Sequence, residues 1–531
     1  MIQTSENYRP FPVVRSPDAL ISFEVIPRAL IKSEVTAETY APAKIGTARN
    51  VVNEVPELAR KYGTLEWYGW PLDGSCWLLP STGAEEGFWT EQVSDSDGGF
   101  YTPVVIRFKM DNPIDTFGWT FHFDAPANVT ANRVRAVWYD DDYNELGGVT
   151  GVPEITGEGG QYGWALQQFA AEYSAVEFTF YGTNQPLRML RVTEIDFGIS
   201  RYFTRDSVSD VRIKYGATVD ASAFPAKELS FVFDNSDGEF NILNPVGVYQ
   251  YWRNGQVLRA KIGIGDDIVN MGMFTESTAE IGKNRLLVKV KAHDQCYHLA
   301  RQKYYPDSAM RAQESVTLKV AAEDVLAGYD LRIEYNGLEN ELVSCQVNNN
   351  HPKRTMLRYL AQAARCSVWI DRDNTVQFRR FVTPEAEDAV STITADELYD
   401  WSGVSISEEF TGCVLTVNRE LEGGEDDEEP SGKSYTYTSG EPDDQGVNTA
   451  SYENPCIAPG NEQAVCDWLL TAANWRKKYA VKNRCDPAVE IGDAVVIEDA
   501  FHNNDAAVVT GLEVSYNGVL SCVTEAERSF S

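Results

Sequence analysis

Hydrophobic and polar positions alternate along most of this chain. Leu229, Phe231 and Phe233 alternate with Ser230, Val232 and Asp234, the period of a strand with one buried face. The run then stops in Asp234-Asn235-Ser236-Asp237-Gly238, residues that favour turns and tolerate left-handed backbone. Upstream, the runs VVIRFKM, WTFHFD, RVRAVWY and AVEFTFY are separated by Gly, Asp, Asn and Pro, which predicts a β-sandwich over about residues 61–200. Residues 1–60 hold one strand candidate, Leu20 to Ile26, and a polar connection. A second β-rich block runs from Val211 to Asp294. In it Leu258, Ala260, Ile262 and Ile264 alternate, as do Leu286, Val288, Val290 and Ala292.

The period then changes. Leu318, Ala321, Ala322 and Val325 fall on one face of a helix over Ser315–Ala327, with Gly328 as its stop. Leu357, Leu360, Ala361 and Ala364 predict another over Thr355–Cys366, and a hairpin turning at Asp371 to Asn374 follows. Strands near Val414 and Tyr437 flank the acidic run EGGEDDEEPSG, whose mutually repelling carboxylates mark a solvated loop tip. A helix over Asn461–Tyr479 is expected from Val465, Trp468, Leu469 and Ala472. Strands return in VEIGDAVVIED, AVVTGLEVSY and VLSCVTEA, the last two joined at Asn517-Gly518, a strong short-range hairpin signal.

Composition narrows the classes. A chain of 531 residues accommodates about three or four domains. No run of 18 apolar residues offers a membrane span, and the first residues lack the basic and apolar regions of a secretory signal, so synthesis in the cytoplasm is expected. The formal charge of −33 opposes sequence-independent binding to nucleic acid, which needs Lys and Arg on phosphates. The nine cysteines are scattered without a C-x-x-C pair, which predicts free thiols and no structural zinc.

Chemistry-bearing motifs are sparse. Walker A, G-x-S-x-G and H-E-x-x-H patterns are absent. His293 and His298, five apart, share neither a helix face nor a strand face. The Asp234–Gly238 run fails the EF-hand frame, because Asn244 stands where that loop needs Glu. No catalytic residue, metal site or cofactor is therefore expected. Trp67, Tyr68, Trp70 and Trp77 crowd a Gly- and Pro-broken segment, where flat aromatic faces on loops suit sugar rings. They serve equally as caps on the end of a sandwich.

The order of segments carries a resemblance. FVFDNSDGEFNILNPVGVYQYWRNGQVLRAKIGI resembles the first barrel of phage tail hub proteins of the kind found in phages and prophages of Gram-positive bacteria. VKAHDQCYHL is similar to their strand-to-helix step, and LAQAARCSVWIDRDNTV to their helix–hairpin. RCDPAVEIGDAVVIED with VSYNGVLSCVTEA is similar to their closing barrel. RMLRVTEIDFGI resembles the return from a discoidin-like sandwich inserted in many of these hubs. The signature positions are Asp234, Asn235, Asp237, Gly238, Asn244, Pro245, Asp486, Pro487, Gly492, Asp493, Asn517 and Gly518.

The resemblance implies a mainly β fold with smaller α+β parts. It comprises two small hub β-barrels, an N-terminal β-sandwich of jelly-roll or galactose-binding type, and mixed α+β domains. The expected division is 1–60 strand and connection, 61–200 sandwich, 201–300 first barrel, 301–390 mixed, 391–484 mixed with the acidic loop, and 485–531 second barrel. It further implies a non-enzymatic homotrimer at the distal end of a virion tail, assembled in the host cytoplasm. The trimer would adapt a sixfold tube to a threefold tip and line the DNA exit channel. Its expected partners are tail tube and distal tail proteins, the tape measure protein, and spike, fibre or receptor-binding proteins, with DNA passing through unbound. The rival readings are a glycan-binding adhesion protein using the Trp-rich segment and a wall-active enzyme.

Overall fold

The computed structural model describes residues 19–26, 36–39 and 88–529, with isolated positions between 63 and 76. Outside the description lie 125–126, 155–162, 198–200, 204–207, 237, 239, 242–256, 265–266, 275, 282–285, 330, 348–349, 401–402, 420–432, 444–446 and 499–503. The acidic loop tip therefore falls outside the described residues. The chain divides into two units, one of Ser22–Thr204 with Val248–Leu258, the other of Met1–Ile21, Arg205–Gly247 and Arg259–Ser531. The fold is mainly β with smaller α+β parts. Among the described residues no helix is long and apolar enough to cross a membrane.

The smaller unit is organised by two long strands, Gly99–Phe123 and Gly163–Gly182, paired antiparallel at the centre of a seven-stranded sheet. The sequence separates VVIRFKM from WTFHFD at Asp111, Asn112, Pro113 and Gly118. The structure instead runs one strand through these breakers and absorbs them as register shifts between Lys109 and Gly118. Gly118 has φ +130°, and a Cβ there would meet the Leu166 carbonyl oxygen at 2.1 Å, so only glycine fits.

These irregularities bend the strand back on itself. Phe108 and Phe121 are thirteen residues apart, about 43 Å along a straight strand. Their rings nevertheless lie 5.7 and 5.0 Å from the same Phe178 ring. The sheet thus closes over one aromatic core that includes Trp119, Tyr173, Phe180 and Phe197.

In the larger unit the described strands include an eleven-stranded sheet. Its main path runs Glu276–Ile281, Leu287–His293, Glu228–Asp234, Val208–Gly216, Asn504–Tyr516, Leu520–Arg528, Lys477–Asn483 and Leu398–Asp400. The first and last β blocks are neighbours in it, because Val208–Gly216 pairs antiparallel with Asn504–Tyr516 from Val211↔Tyr516 to Gly216↔Gly511. Ala494–Glu498 joins from the side, antiparallel to Asn504–Tyr516 and parallel to Ser391–Ile393.

The α+β material has its own core. The helices Leu318–Val325 and Lys353–Ala363, with Val465 and Leu469 of Glu462–Ala473, bury their predicted apolar positions with Cys345, Val368, Phe378, Leu415 and Ile457. Trp468 is half-buried, and Ala472 packs with Val219, Trp475 and Val508. Thr317 caps the first helix through its side chain. The second begins after Pro352 and ends where Arg365 takes φ +58° and the Cys366 N–H donates to the Ala361 carbonyl. The third stops at Ala473, short of the expected Tyr479, because Lys477–Asn483 pairs with Leu520–Arg528 instead. Asn474 fixes that end by exchanging hydrogen bonds with the Phe410 backbone at 2.9 and 3.0 Å.

Candidate functional site

The signature positions are local geometry first. In Glu228–Asp234, Leu229, Phe231 and Phe233 are buried, and the strand ends in two Asx-type contacts. The Asp234 carboxylate accepts from the Ser236 N–H and hydroxyl at 3.1 and 2.9 Å. Asn235 is buried; its N–H donates to the Leu286 carbonyl at 2.7 Å and its Oδ1 accepts from the Phe240 N–H at 2.9 Å. Gly238 takes φ +71°. The turn delivers the Phe240 ring back onto Phe233, 4.7 Å away and edge-on. Asp237, Asn244 and Pro245 lie outside the described residues.

The closing signature is equally built. Asp486 accepts from the Ala488 N–H and the Ser391 hydroxyl, both at 3.0 Å. Gly492 has φ +85° and donates to the Val509 carbonyl at 2.8 Å. Asp493 accepts from the Glu490 N–H at 3.0 Å, and its carbonyl accepts from the Val509 N–H at 2.8 Å. At Asn517-Gly518 the hairpin has three loop residues, since Tyr516 pairs with Leu520. Only Gly518, at φ +95°, is left-handed there, whereas the two-residue loop that Asn-Gly favours needs positive φ at both centres.

A residue outside both signatures ties the first β block to the closing one. Arg372 sits in the Asp371–Asn374 turn and is 2% exposed. Its guanidinium donates to the Tyr215 hydroxyl at 2.6 Å, the Val489 carbonyl at 2.7 Å and the Pro487 carbonyl, and pairs with the Glu490 carboxylate at 2.8 Å. Tyr215 belongs to the first β block, Arg372 to the mixed region and Pro487–Glu490 to the closing block.

Beside it the buried Lys227 ammonium donates to the Asp371 carbonyl at 2.6 Å. Asn270 donates to the Arg372 carbonyl at 3.0 Å and the Asp373 carboxylate at 3.1 Å. Asp294, also buried, caps the helix Gln295–Arg301 by accepting from the Cys296 N–H at 3.1 Å. Burial pushes the Asp294 carboxyl up to about 6 against the opposing pull of Lys227. Burial also raises the Glu490 carboxyl, against Arg372, and lowers the Lys227 ammonium, against Asp294. The junction binds three sequence blocks through buried charged side chains. An arginine in a D-R-D-N turn reads as a solvated side chain, so the sequence carries no signal for it.

Of the aromatic segment, Trp70 is described and is 44% exposed, with its ring against Gly63, where a Cβ would meet it at 2.9 Å. Trp67, Tyr68 and Trp77 lie outside the described residues. His293 stacks on Tyr297 at 4.6 Å. The smaller unit also assembles His122, Glu194 and Asp196, all buried, with one potential donor atom of each within 4.8 Å of the others. The described cysteines are free thiols, and burial holds those of Cys296, Cys345, Cys366 and Cys456 above the ordinary range.

No family model matches the sequence, and no curated protein does. Among solved structures the chain is similar to the 43 kDa tail protein of prophage MuSo2 from Shewanella oneidensis. The TM-score is 0.43 at 11% identity, over 62% of this chain and 96% of that one. It is similar to a tail protein from Neisseria meningitidis MC58, with TM-score 0.41 at 10% identity over 61% and 96% of the respective chains. It is also similar to prophage tail protein gp18 from Listeria monocytogenes EGD-e, with TM-score 0.37 at 12% identity over 63% and 92%.

Proposed function

We propose that this chain is a structural hub protein of a phage-type tail tip, a non-catalytic trimer that adapts a sixfold tube to a threefold tip. In this reading the blocks at 201–300 and 485–531 build the ring and the mixed regions hold the tip. The supporting observation is the pairing of Val208–Gly216 with Asn504–Tyr516, locked by Arg372, which makes two signature blocks nearly three hundred residues apart one rigid β body. A ring needs such a body, because a subunit hinged between its two blocks could not hold a fixed bore. The charge of −33 per chain, tripled in a trimer, keeps DNA from adhering to the channel.

Mass photometry of the purified chain tests the reading: the expected species is three times the 59.3 kDa chain, and a strict monomer at high concentration refutes it. Reconstruction of that ring by electron microscopy tests the channel, and a basic lumen overturns its assignment. The half-exposed Trp70 favours a second reading, glycan recognition. Strong binding of the full chain on a glycan array, abolished by Trp70→Ala, supports it.

A further inference from the structure

His122 and Glu194 are direct partners across the antiparallel pair Gly99–Phe123 and Arg191–Asp196, and Asp196 lies two residues beyond Glu194 opposite Thr120. Partners and i,i+2 neighbours share a sheet face, so the three side chains leave on one side, while Phe121 and Ile195 leave on the other into the aromatic core. Both sides are buried: His122 and Glu194 are 1% exposed and Asp196 is 3%. The His122 Nε2 stands 2.8 Å from the Asp196 Oδ2. One donor atom from each of the three lies within 4.8 Å of the others.

We propose that His122, Glu194 and Asp196 form a binding site for one divalent transition-metal ion of the zinc type, taken up as the sandwich folds. Tetrahedral coordination with bonds of about 2.0–2.1 Å places donors about 3.3 Å apart. The three donors therefore need shifts of the order of one ångström. One imidazole nitrogen with two carboxylate oxygens is a zinc-type set of three, with water as the fourth ligand. A calcium ion asks for six to eight oxygens instead. The dication balances the two carboxylates and gives a neutral assembly, the state that burial favours. The ligands come from two neighbouring strands, so the ion ties the bent strand Gly99–Phe123 to Arg191–Asp196 at the end of the bend. The sequence does not show this set, because His122 and Asp196 are seventy-four residues apart.

The test uses the full chain, expressed with added zinc, exchanged through chelating resin and assayed for metal per chain. The expected result is one zinc per native chain and at least a tenfold loss in Glu194→Gln/Asp196→Asn, whose side chains keep the original shapes. Cobalt substitution is expected to give tetrahedral visible absorption without thiolate charge-transfer bands, which separates this site from the buried cysteines. Native protein refolded with excess zinc chloride is expected to melt at a higher temperature than protein refolded with chelator. This comparison stands even if the double variant fails to fold. The inference is overturned if native chain binds no zinc by either route, if calcium binds where zinc does not, or if zinc persists undiminished in the folded double variant.

Discussion

Replacing Arg372 with methionine keeps an unbranched apolar stem and removes one buried charge with all its donors. The Glu490 carboxylate, whose side chain is 15% exposed, then loses its partner at 2.8 Å. Breaking a buried ion pair from one side costs about 3–5 kcal/mol. The Pro487 and Val489 carbonyls and the Tyr215 hydroxyl lose their guanidinium donor as well, at about 1–3 kcal/mol for each group left buried and unsatisfied. These losses share one guanidinium and are not additive, so the expected destabilisation is about 4–6 kcal/mol. Domains have about 5–15 kcal/mol in total, so the larger unit should open locally well before it unfolds.

Hydrogen exchange read by mass spectrometry is the suitable assay, because it resolves the two units. Peptides covering 485–493 and 208–216 should lose protection in Arg372→Met by several hundredfold or more, while peptides covering 163–182 keep theirs. In Arg372→Met/Glu490→Gln the stranded charge is gone, and at least about 1 kcal/mol of protection should return. A loss below about 1 kcal/mol in the single variant, the scale of an exposed ion pair, would refute the junction as the lock between the blocks.

Asn235→Ala removes the acceptor for the Phe240 N–H and should cost about 1–3 kcal/mol, read as faster exchange at the Phe240 amide and at the amide of residue 235, which donates to the Leu286 carbonyl. Gly492→Ala should lower the melting temperature, because φ +85° costs a residue with a Cβ about 1–2 kcal/mol and that atom meets Arg379 and Phe381 at 3.2 Å. Asp294 gives a pH dependence of definite sign. Its carboxyl is raised from 3.8 to about 6 in the folded chain, so between those values the folded state holds more protons than the unfolded one. Stability from this group is therefore highest below pH 4, falls as pH rises towards 6 and is lower by about 3 kcal/mol above it. Asp294→Asn keeps the cap acceptor but cannot titrate, so the stability difference between the two proteins should change across pH 4–6 with that slope, and a difference that stays constant with pH would refute it.

The sequence is legible where a residue's environment is set by its near neighbours. Leu229, Phe231 and Phe233 fall on a buried strand face because period 2 alone decides it, and Thr317 with the Leu318–Val325 stripe defines a helix in the same local way. Legibility fails where a distant segment competes. Lys477–Asn483 follows a helical stripe without a break in polarity, and pairing with Leu520–Arg528 captures it as a strand. Pro113 and Gly118 read as punctuation, yet bulges let Gly99–Phe123 pass through them, because the aromatic core rewards a strand that bends rather than stops.

The chemistry behaves the same way, more severely. Arg372 acquires its role from Tyr215, Pro487, Val489 and Glu490, and His122 from Glu194 and Asp196, none within seventy residues in sequence. Each would be an ordinary exposed side chain if its strand or turn were read alone. The turn motif around Asp234 and Asn235 identifies a corner of the fold well because it makes local bonds, to Ser236 and Phe240, besides the more distant one to Leu286. Short motifs of this kind report backbone geometry, while the groups that fix one block to another are decided by register between strands hundreds of residues apart. Substitution of Arg372 should for that reason disturb the chain more than substitution of any one signature aspartate.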